Sequence, residues 1–283
     1  MELKLILARK QGRLKSRNRR IRPIKQSKRT EVWYRERLNS VIDEMSQVII
    51  AELENPTLND ATNTPPLSIT AKLSRAIQKV ASMSIAELAT RLSLGLVNRA
   101  NQQNKYRLLK TYQNAFDIDL SGFLSDEAIR DDMARAVKEN VDLIKSIQTD
   151  FINDIGEKVF SNLAGGGRHE NLVSLIKERG NISKSRAKFI ARDQTAKLNA
   201  ALNESRHRSL GLDLYEWGGT GDERERESHL KLNGKLCKYS DPTVYSDDGG
   251  KTWKKRKSIG AYEGAPGTDF QCRCVSLPYI SWD

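Results

Sequence analysis

Cysteine is scarce in this chain: there are three in 283 residues, and none precedes Cys237. Any chemistry that needs sulfur is therefore confined to the C-terminal end. Aromatic residues make up only 6 %, which disfavours an aromatic-rich β-sandwich and points to helices. No apolar run approaches the length of a membrane span. The opening MELKLILA is too short for a secretory h-region. These absences predict a protein made and kept in the cytoplasm, with reduced thiols and no membrane partner. Acidic residues are nearly missing from one region. Residues 1–29 hold 12 lysines and arginines against a single acid, Glu2, whereas the rest of the chain is nearly neutral. The net charge of +12 thus belongs mostly to an N-terminal tail.

That tail, ARKQGRLKSRNRRIRPIKQSKR, has too few apolar residues to offset the entropy of ordering it, and it is expected to be disordered through residue 29. A basic run of this kind favours a polyanion through counterion release. The candidate nucleic-acid contacts are Arg13, Lys15, Arg17, Arg19, Arg20, Arg22, Lys25, Lys28 and Arg29. An acidic protein surface would serve the same charges, and a purely solubilising tail is the plainer alternative. The tail holds no aromatic, so base stacking supplies no specificity.

From residue 30 to about 120 the pattern is helical. Tyr34, Leu38, Val41, Met45, Val48 and Leu53 recur at three- and four-residue steps until Pro56. NDATNTPPLS, residues 59–68, reads as a linker. Further helices are expected over about 69–102 and 104–115. Residues 121–210 form a long-helix region. Ser125 is a candidate N-cap, with Asp126 and Glu127 in the first turn. Ile129, Met133, Val137, Val141, Ile144, Gln148, Phe151, Ile155 and Val159 then make one stripe. An unbroken helix here would run about 55 Å, at about 1.5 Å per residue; a break near 146–149 would give two. AGGGRHE lacks the Gly-Lys-Ser/Thr ending of a phosphate loop and reads as a helix stop. A short helix from His169 to Arg179 is expected, then a second one capped by Ser183 or Ser185 and closed by Gly211. Gln194 lies on its apolar face and should hydrogen-bond across the core. RGNISKSRAKFI lacks the second glycine of a helix-hairpin-helix.

Residues 211–283 change character. In LDLYEW, Tyr215 and Trp217 alternate with Leu214 and Glu216 as on a strand. A glycine loop, a short helix, a D-D-G-G turn at 247–250 and a closing strand, CRCVSLPYI, follow. The fold class is therefore α+β: a predominantly helical body with long helices, then a small C-terminal α+β unit.

Four blocks carry a resemblance: ENVDLIKSI (139–147), SRAKFIARDQTAKLNAALNESR (185–206), YEWGGTGDERERESHLKLNGK (215–235) and PGTDFQCRC (266–274). In this order and spacing the chain resembles the phage head morphogenesis family, the phage Mu protein F-like minor head proteins, over about residues 105–280. The resemblance implies a minor capsid protein of a tailed phage, present in few copies and acting in procapsid assembly. Its implied partners are the portal protein and other head proteins, with phage DNA as a further contact. Its implied place is the head interior or portal vertex of a virion assembled in the host cytoplasm. It implies no enzymatic activity, and it marks Arg192, Asp193, Gln194, Asp222, Glu223 and Arg224 as structural positions. A DNA-binding accessory protein for packaging or ejection is the competing class, and an ADP-ribosyltransferase-like enzyme a third.

Three chemistries are open at the C-terminal end. His229, Cys237, Cys272 and Cys274 form a complete set of zinc ligands, and such a structural zinc would substitute for core in a small unit. A one-residue gap between cysteines is shorter than usual for zinc, although residues i and i+2 of a strand share a face. The resemblance covers His229, Cys272 and Cys274, and puts an aromatic or other apolar residue at Cys237. The thiols could equally pack as small apolar groups, whereas cytoplasmic assembly disfavours a disulfide. Glu223, Glu225 and Glu227 give a Glu-x-Glu pattern, for which hydrogen-bonded ion pairs pinning the glycine loop are the simpler account. Ser228 next to His229 makes no triad, since helical neighbours do not face each other. Cys272 with His229 would need an orienting third group.

Overall fold

The computed structural model describes residues 21–55, 69–164 and 169–280. Among the described residues, five α-helices precede the sheet region: α1 (Lys28–Glu54), α2 (Ile69–Ala81), α3 (Ile85–Phe116), α4 (Arg130–Ala164) and α5 (His169–Ser209). A small sheet region follows, with β1 (Leu214–Gly218), the one-turn helix α6 (Glu227–Leu230), β2 (Leu236–Lys238), β3 (Val244–Ser246), β4 (Lys254–Lys255) and β5 (Val275–Pro278). The fold class is α+β with helices dominant, as expected.

The chain divides into two compact units, neither of them continuous in sequence. One is built from Glu31–Gly95 and Val137–Ala191. The other takes in Met1–Thr30, Leu96–Ala136 and Arg192–Asp283. The boundaries fall inside α1, α3, α4 and α5, and no composition shift marks the last three.

In the helical unit, α1 buries Tyr34, Leu38, Val41, Ile42, Met45, Ile49 and Leu53, one stripe at helical spacing. α4 answers with Ile144, Ile147, Phe151, Ile155 and Val159. The Tyr34 hydroxyl donates to Asn140 Oδ1 at 2.8 Å, so both polar groups are satisfied inside. α4 is unbroken through Ser146 and Thr149, whose hydroxyls bond back to the carbonyls of Leu143 and Lys145.

Three helix expectations are corrected. α5 is a single helix of 41 residues, with no stop at Arg179 and no cap at Ser183 or Ser185. Ser185 instead bonds back to the carbonyl of Asn181 at 3.1 Å. Gly180 sits mid-helix because α1 passes close there: a Cβ on it would meet Ser46 Oγ at 3.1 Å. The break expected near residue 103 lies instead at Ser82–Ser84, and α3 runs through to Phe116. Ser125 Oγ accepts from the amide of Glu127 at 3.1 Å in a local turn, but the N-cap of the short 3-10 helix Glu127–Ile129 that leads into α4 is Asp126.

In the other unit, residues 21–29 do not belong to an unstructured tail. Ile21 and Ile24 are buried in a cluster with Leu108, Tyr112, Phe116, Leu120 and Leu212. The Asn199 and Asn203 amides donate to the Ile24 carbonyl, each at 2.9 Å. Asn104 donates to both asparagine oxygens, and buried Arg206 donates to Asn104 and Asn101. Buried Arg206 is thus tied through asparagines to the incoming chain, and α1 begins directly after it at Lys28. Arg13, Lys15, Arg17, Arg19 and Arg20 lie outside the described residues, as does the linker at 59–68.

The sheet is antiparallel throughout, in the order β4-β3-β2-β1-β5. Tyr215 and Trp217 of β1 point to one face and are fully buried. They pack in a core with Leu232, Cys237, Tyr239, Tyr245, Cys272 and Cys274. At its centre lies Arg256, fully buried. Its Nε donates to the Val244 carbonyl, one terminal nitrogen to the carbonyls of Tyr262 and Gly264, and the other to the Tyr215 hydroxyl. Its guanidinium also lies 5.4 Å from the Trp217 ring centroid.

Candidate functional site

The chemistry-bearing residues converge where α6 meets the loop before β5. A correction applies first. CRCVSLPYI is not all strand: β5 starts at Val275, so Cys272 and Cys274 stand in the preceding loop. A turn brings them together there. The Cys272 amide donates to the Asp269 carbonyl at 3.1 Å, and Gln271 takes a left-handed φ of 54°. Buried Asp193 of α5 holds that conformation by accepting from the Gln271 amide at 2.7 Å, with Lys197 on its other oxygen at 2.8 Å. Asp193 therefore positions the cysteine loop, Gln194 is buried beside it, and Arg192 is half-buried.

His229 enters from α6 and is 2 % exposed. Its ring is flanked by Tyr262, at 4.7 Å between centroids, and meets Trp217 edge-on. Nδ1 faces both sulfurs, at 3.4 Å from Cys272 Sγ and 3.5 Å from Cys274 Sγ. Nε2 faces Asp269 Oδ2 at 3.2 Å. The three ligand atoms lie within 4.8 Å of one another, a set able to hold a metal ion. Cys237 is not brought in. It is fully buried on β2, its thiol reaches the Lys235 carbonyl at 3.7 Å, and burial pushes its pKa up. The four-ligand set expected from sequence is thus three residues in space.

The loop thiols are electrostatically unequal. The hydrogen bond from Cys274 outweighs burial and, with help from His229, holds the Cys272 thiol well below its ordinary range. Cys274 moves the opposite way, because the Cys272 sulfur and burial both oppose its ionisation. Burial alone would lower the pKa of His229, but the Cys272 sulfur reverses this and the net shift is upward.

The glycine loop closes the other side. Asp222 and Arg273, the residue between the two cysteines, form a two-pronged pair at 2.6 and 2.5 Å. The Arg273 bonds hold the Asp222 carboxyl down to about 2. Asp222 also accepts from the Thr220 hydroxyl at 3.2 Å and the Arg224 amide at 3.3 Å. Arg226 donates to the Phe270 carbonyl at 2.8 Å and lies 3.3 Å from Asp269. The side chains of Glu223 and Arg224 point to solvent. Glu225 turns inward: Oε2 accepts from the Gly221 amide at 2.6 Å, and Oε1 is 3.6 Å from Cys274 Sγ. The three glutamates do not converge, since Glu227 is exposed and paired with Lys231 at 3.0 Å. Beside the loop runs a groove of about 280 Å³ lined by Lys25, Asn199, Asn203, Thr220, Arg273 and Ser276. The residues that sequence reasoning missed are Asp269, Arg273 and Arg256. Their signal is spatial, because each reads locally as an ordinary surface charge.

Residues 153–277 match the family model described as phage Mu protein F like protein. The chain is also 32 % identical over 271 residues to a Haemophilus influenzae (Rd) protein described as uncharacterized. That alignment takes in 94 % of this chain and 57 % of the relative, so the chain spans little more than half the relative's length. No solved structure matches. The match takes in α5, most of the sheet region, His229, Cys272 and Cys274, and this part of the chain is similar to the phage Mu protein F-like family.

Proposed function

We propose that this protein is a structural component of a tailed-phage head, a minor capsid protein that acts during procapsid assembly at or near the portal. The observation that carries this reading is the family match, 153–277, which coincides with the part of the chain whose polar residues are used to fix loops. Asp193, Asp222 and Glu225 each hold backbone or a neighbouring charge. A structural role accounts for them without turnover. No single described helix is long and apolar enough to cross a membrane.

The concentration of basic charge in residues 1–29 supports a second element: contact with packaged DNA or with an acidic inner face of the head. Because Ile21 and Ile24 are buried, the informative truncation removes residues 1–20 and leaves the docked segment intact. The test is to locate the protein by cross-linking and mass spectrometry in procapsids and mature particles. Cross-links to portal subunits that persist in high salt are expected. Absence of the protein from every assembly stage overturns the reading. Loss of salt-sensitive DNA retention on truncation is expected for the basic segment; retention with an unchanged salt slope removes the DNA contact.

A further inference from the structure

The His229 ring presents one nitrogen to two sulfurs. Nε2 faces Asp269, and Nδ1 lies 3.4 and 3.5 Å from the two Sγ atoms. One ring nitrogen makes one linear hydrogen bond, whether it accepts from a thiol or donates to a thiolate. Two sulfurs at almost equal distance from it suit a common atom placed between all three. Zinc bonds of about 2.3 Å to sulfur and about 2.0–2.1 Å to nitrogen, at tetrahedral angles, put S and N about 3.5 Å apart. The observed separations are those of a tetrahedron's edges.

The surroundings fit the same atom. Metal-bound histidines usually donate their other N–H to a carboxylate, which fixes tautomer and ring direction. Asp269 does this here, and it is itself held by the Phe270 amide at 2.7 Å and by Arg226. The Cys274 amide points at Cys272 Sγ at 3.4 Å, a second-shell bond suited to a thiolate. His229, Cys272 and Cys274 are all buried, at 2, 4 and 6 % exposure. Glu225 approaches one side only: its Oε1 is 3.6 Å from Cys274 Sγ, but it is not among the ligand atoms that lie within 4.8 Å of one another. The loop is shaped around this carboxylate: Gly221 donates to Oε2, and a Cβ on Gly219 would lie 2.2 Å from Oε1.

We propose that His229 Nδ1, Cys272 Sγ and Cys274 Sγ hold a structural zinc ion that joins α6 to the segment before β5. Cys237 takes no part. The site stands independently of the head-assembly reading.

The test uses the full chain and the metal alone. Protein stripped with chelator and reloaded with zinc should contain one zinc per chain. Cobalt substitution should give thiolate-to-metal charge transfer and the intense d–d bands of a tetrahedral site. Zinc should shield Cys272 and Cys274 from alkylation, chelator should expose them, and Cys237 should behave alike in both. Cys237→Ser should retain full zinc. Asp269→Asn should weaken binding about 10–100-fold, and Glu225→Gln should retain the zinc. Reloaded wild-type protein with well under one zinc per chain overturns the proposal, as does a Cys272–Cys274 disulfide in freshly purified protein. Zinc lost in Cys237→Ser but kept in Cys272→Ser also overturns it.

Discussion

The helical unit and the sheet region are held together by different means. In the first, stability is spread along stripes: seven apolar side chains of α1 face the core, and α4 adds a comparable row. Each contributes about as much as its neighbour. In the second, strands of two to five residues cannot build such rows. Single polar side chains there serve several backbone groups at once. Arg256 satisfies three carbonyls and a hydroxyl, and Asp222 ties a loop to the segment between two cysteines. Conservative changes should therefore be mild in one region and severe in the other.

The largest effect expected is at Arg256. Arg256→Lys keeps the charge but cannot span the fork that reaches Val244, Tyr262, Gly264 and Tyr215. Each buried acceptor left without a partner costs about 1–3 kcal/mol, so a loss on the order of 3 kcal/mol or more is expected in urea unfolding. Ile144→Val, in the helical unit, should cost about 1 kcal/mol. Equal losses at the two sites would erase the contrast between distributed and concentrated support.

The next effect tests the polar core at the C-terminal end of α5. His207 is fully buried, with Nδ1 3.0 Å from the Tyr239 hydroxyl, and burial followed by the Arg206 charge lowers its pKa to about 3. The unfolded chain takes up a proton near 6.5 and the folded one does not. Its contribution is therefore complete above 6.5 and is lost as pH falls towards 3, at about 1.4 kcal/mol per pH unit. His207→Gln should flatten this part of the stability–pH curve. An unchanged slope between pH 6.5 and 5 would show that His207 is not held neutral.

The contrast also explains what the sequence revealed. Periodic features were readable, because the period is the physics: Tyr34 to Leu53, the stripe through Phe151, and the alternation of Tyr215 and Trp217 all lie where expected. The unbroken course of α5 was not, because Gly180 reads locally as a stop, whereas in the fold it lies mid-helix beside Ser46 of α1. At the site, residue types were legible and their grouping was not. Cys237 falls away from His229 while Cys272 and Cys274 reach it from a loop, a difference set by Asp193 and Gln271 across 78 residues. Arg256 reads locally as one more charge in KKRKS, and only the fold encloses it.

The smallest global effect belongs to Asp222→Asn. The pair with Arg273 is largely solvent-exposed, and exposed pairs contribute little to global stability. What it fixes is local: the course of Thr220–Glu225 against the cysteine loop. The expected result is an unchanged unfolding midpoint, with faster hydrogen exchange at the Arg224 and Gly221 amides. Acid should reproduce the effect in the wild-type protein. The folded carboxyl sits near 2, below its ordinary range, so the pair is complete above that range and is lost as pH falls through the folded value. Added salt should loosen it at neutral pH by screening. A midpoint shift as large as that of Arg256→Lys would mean that the loop carries the sheet rather than merely closing over it.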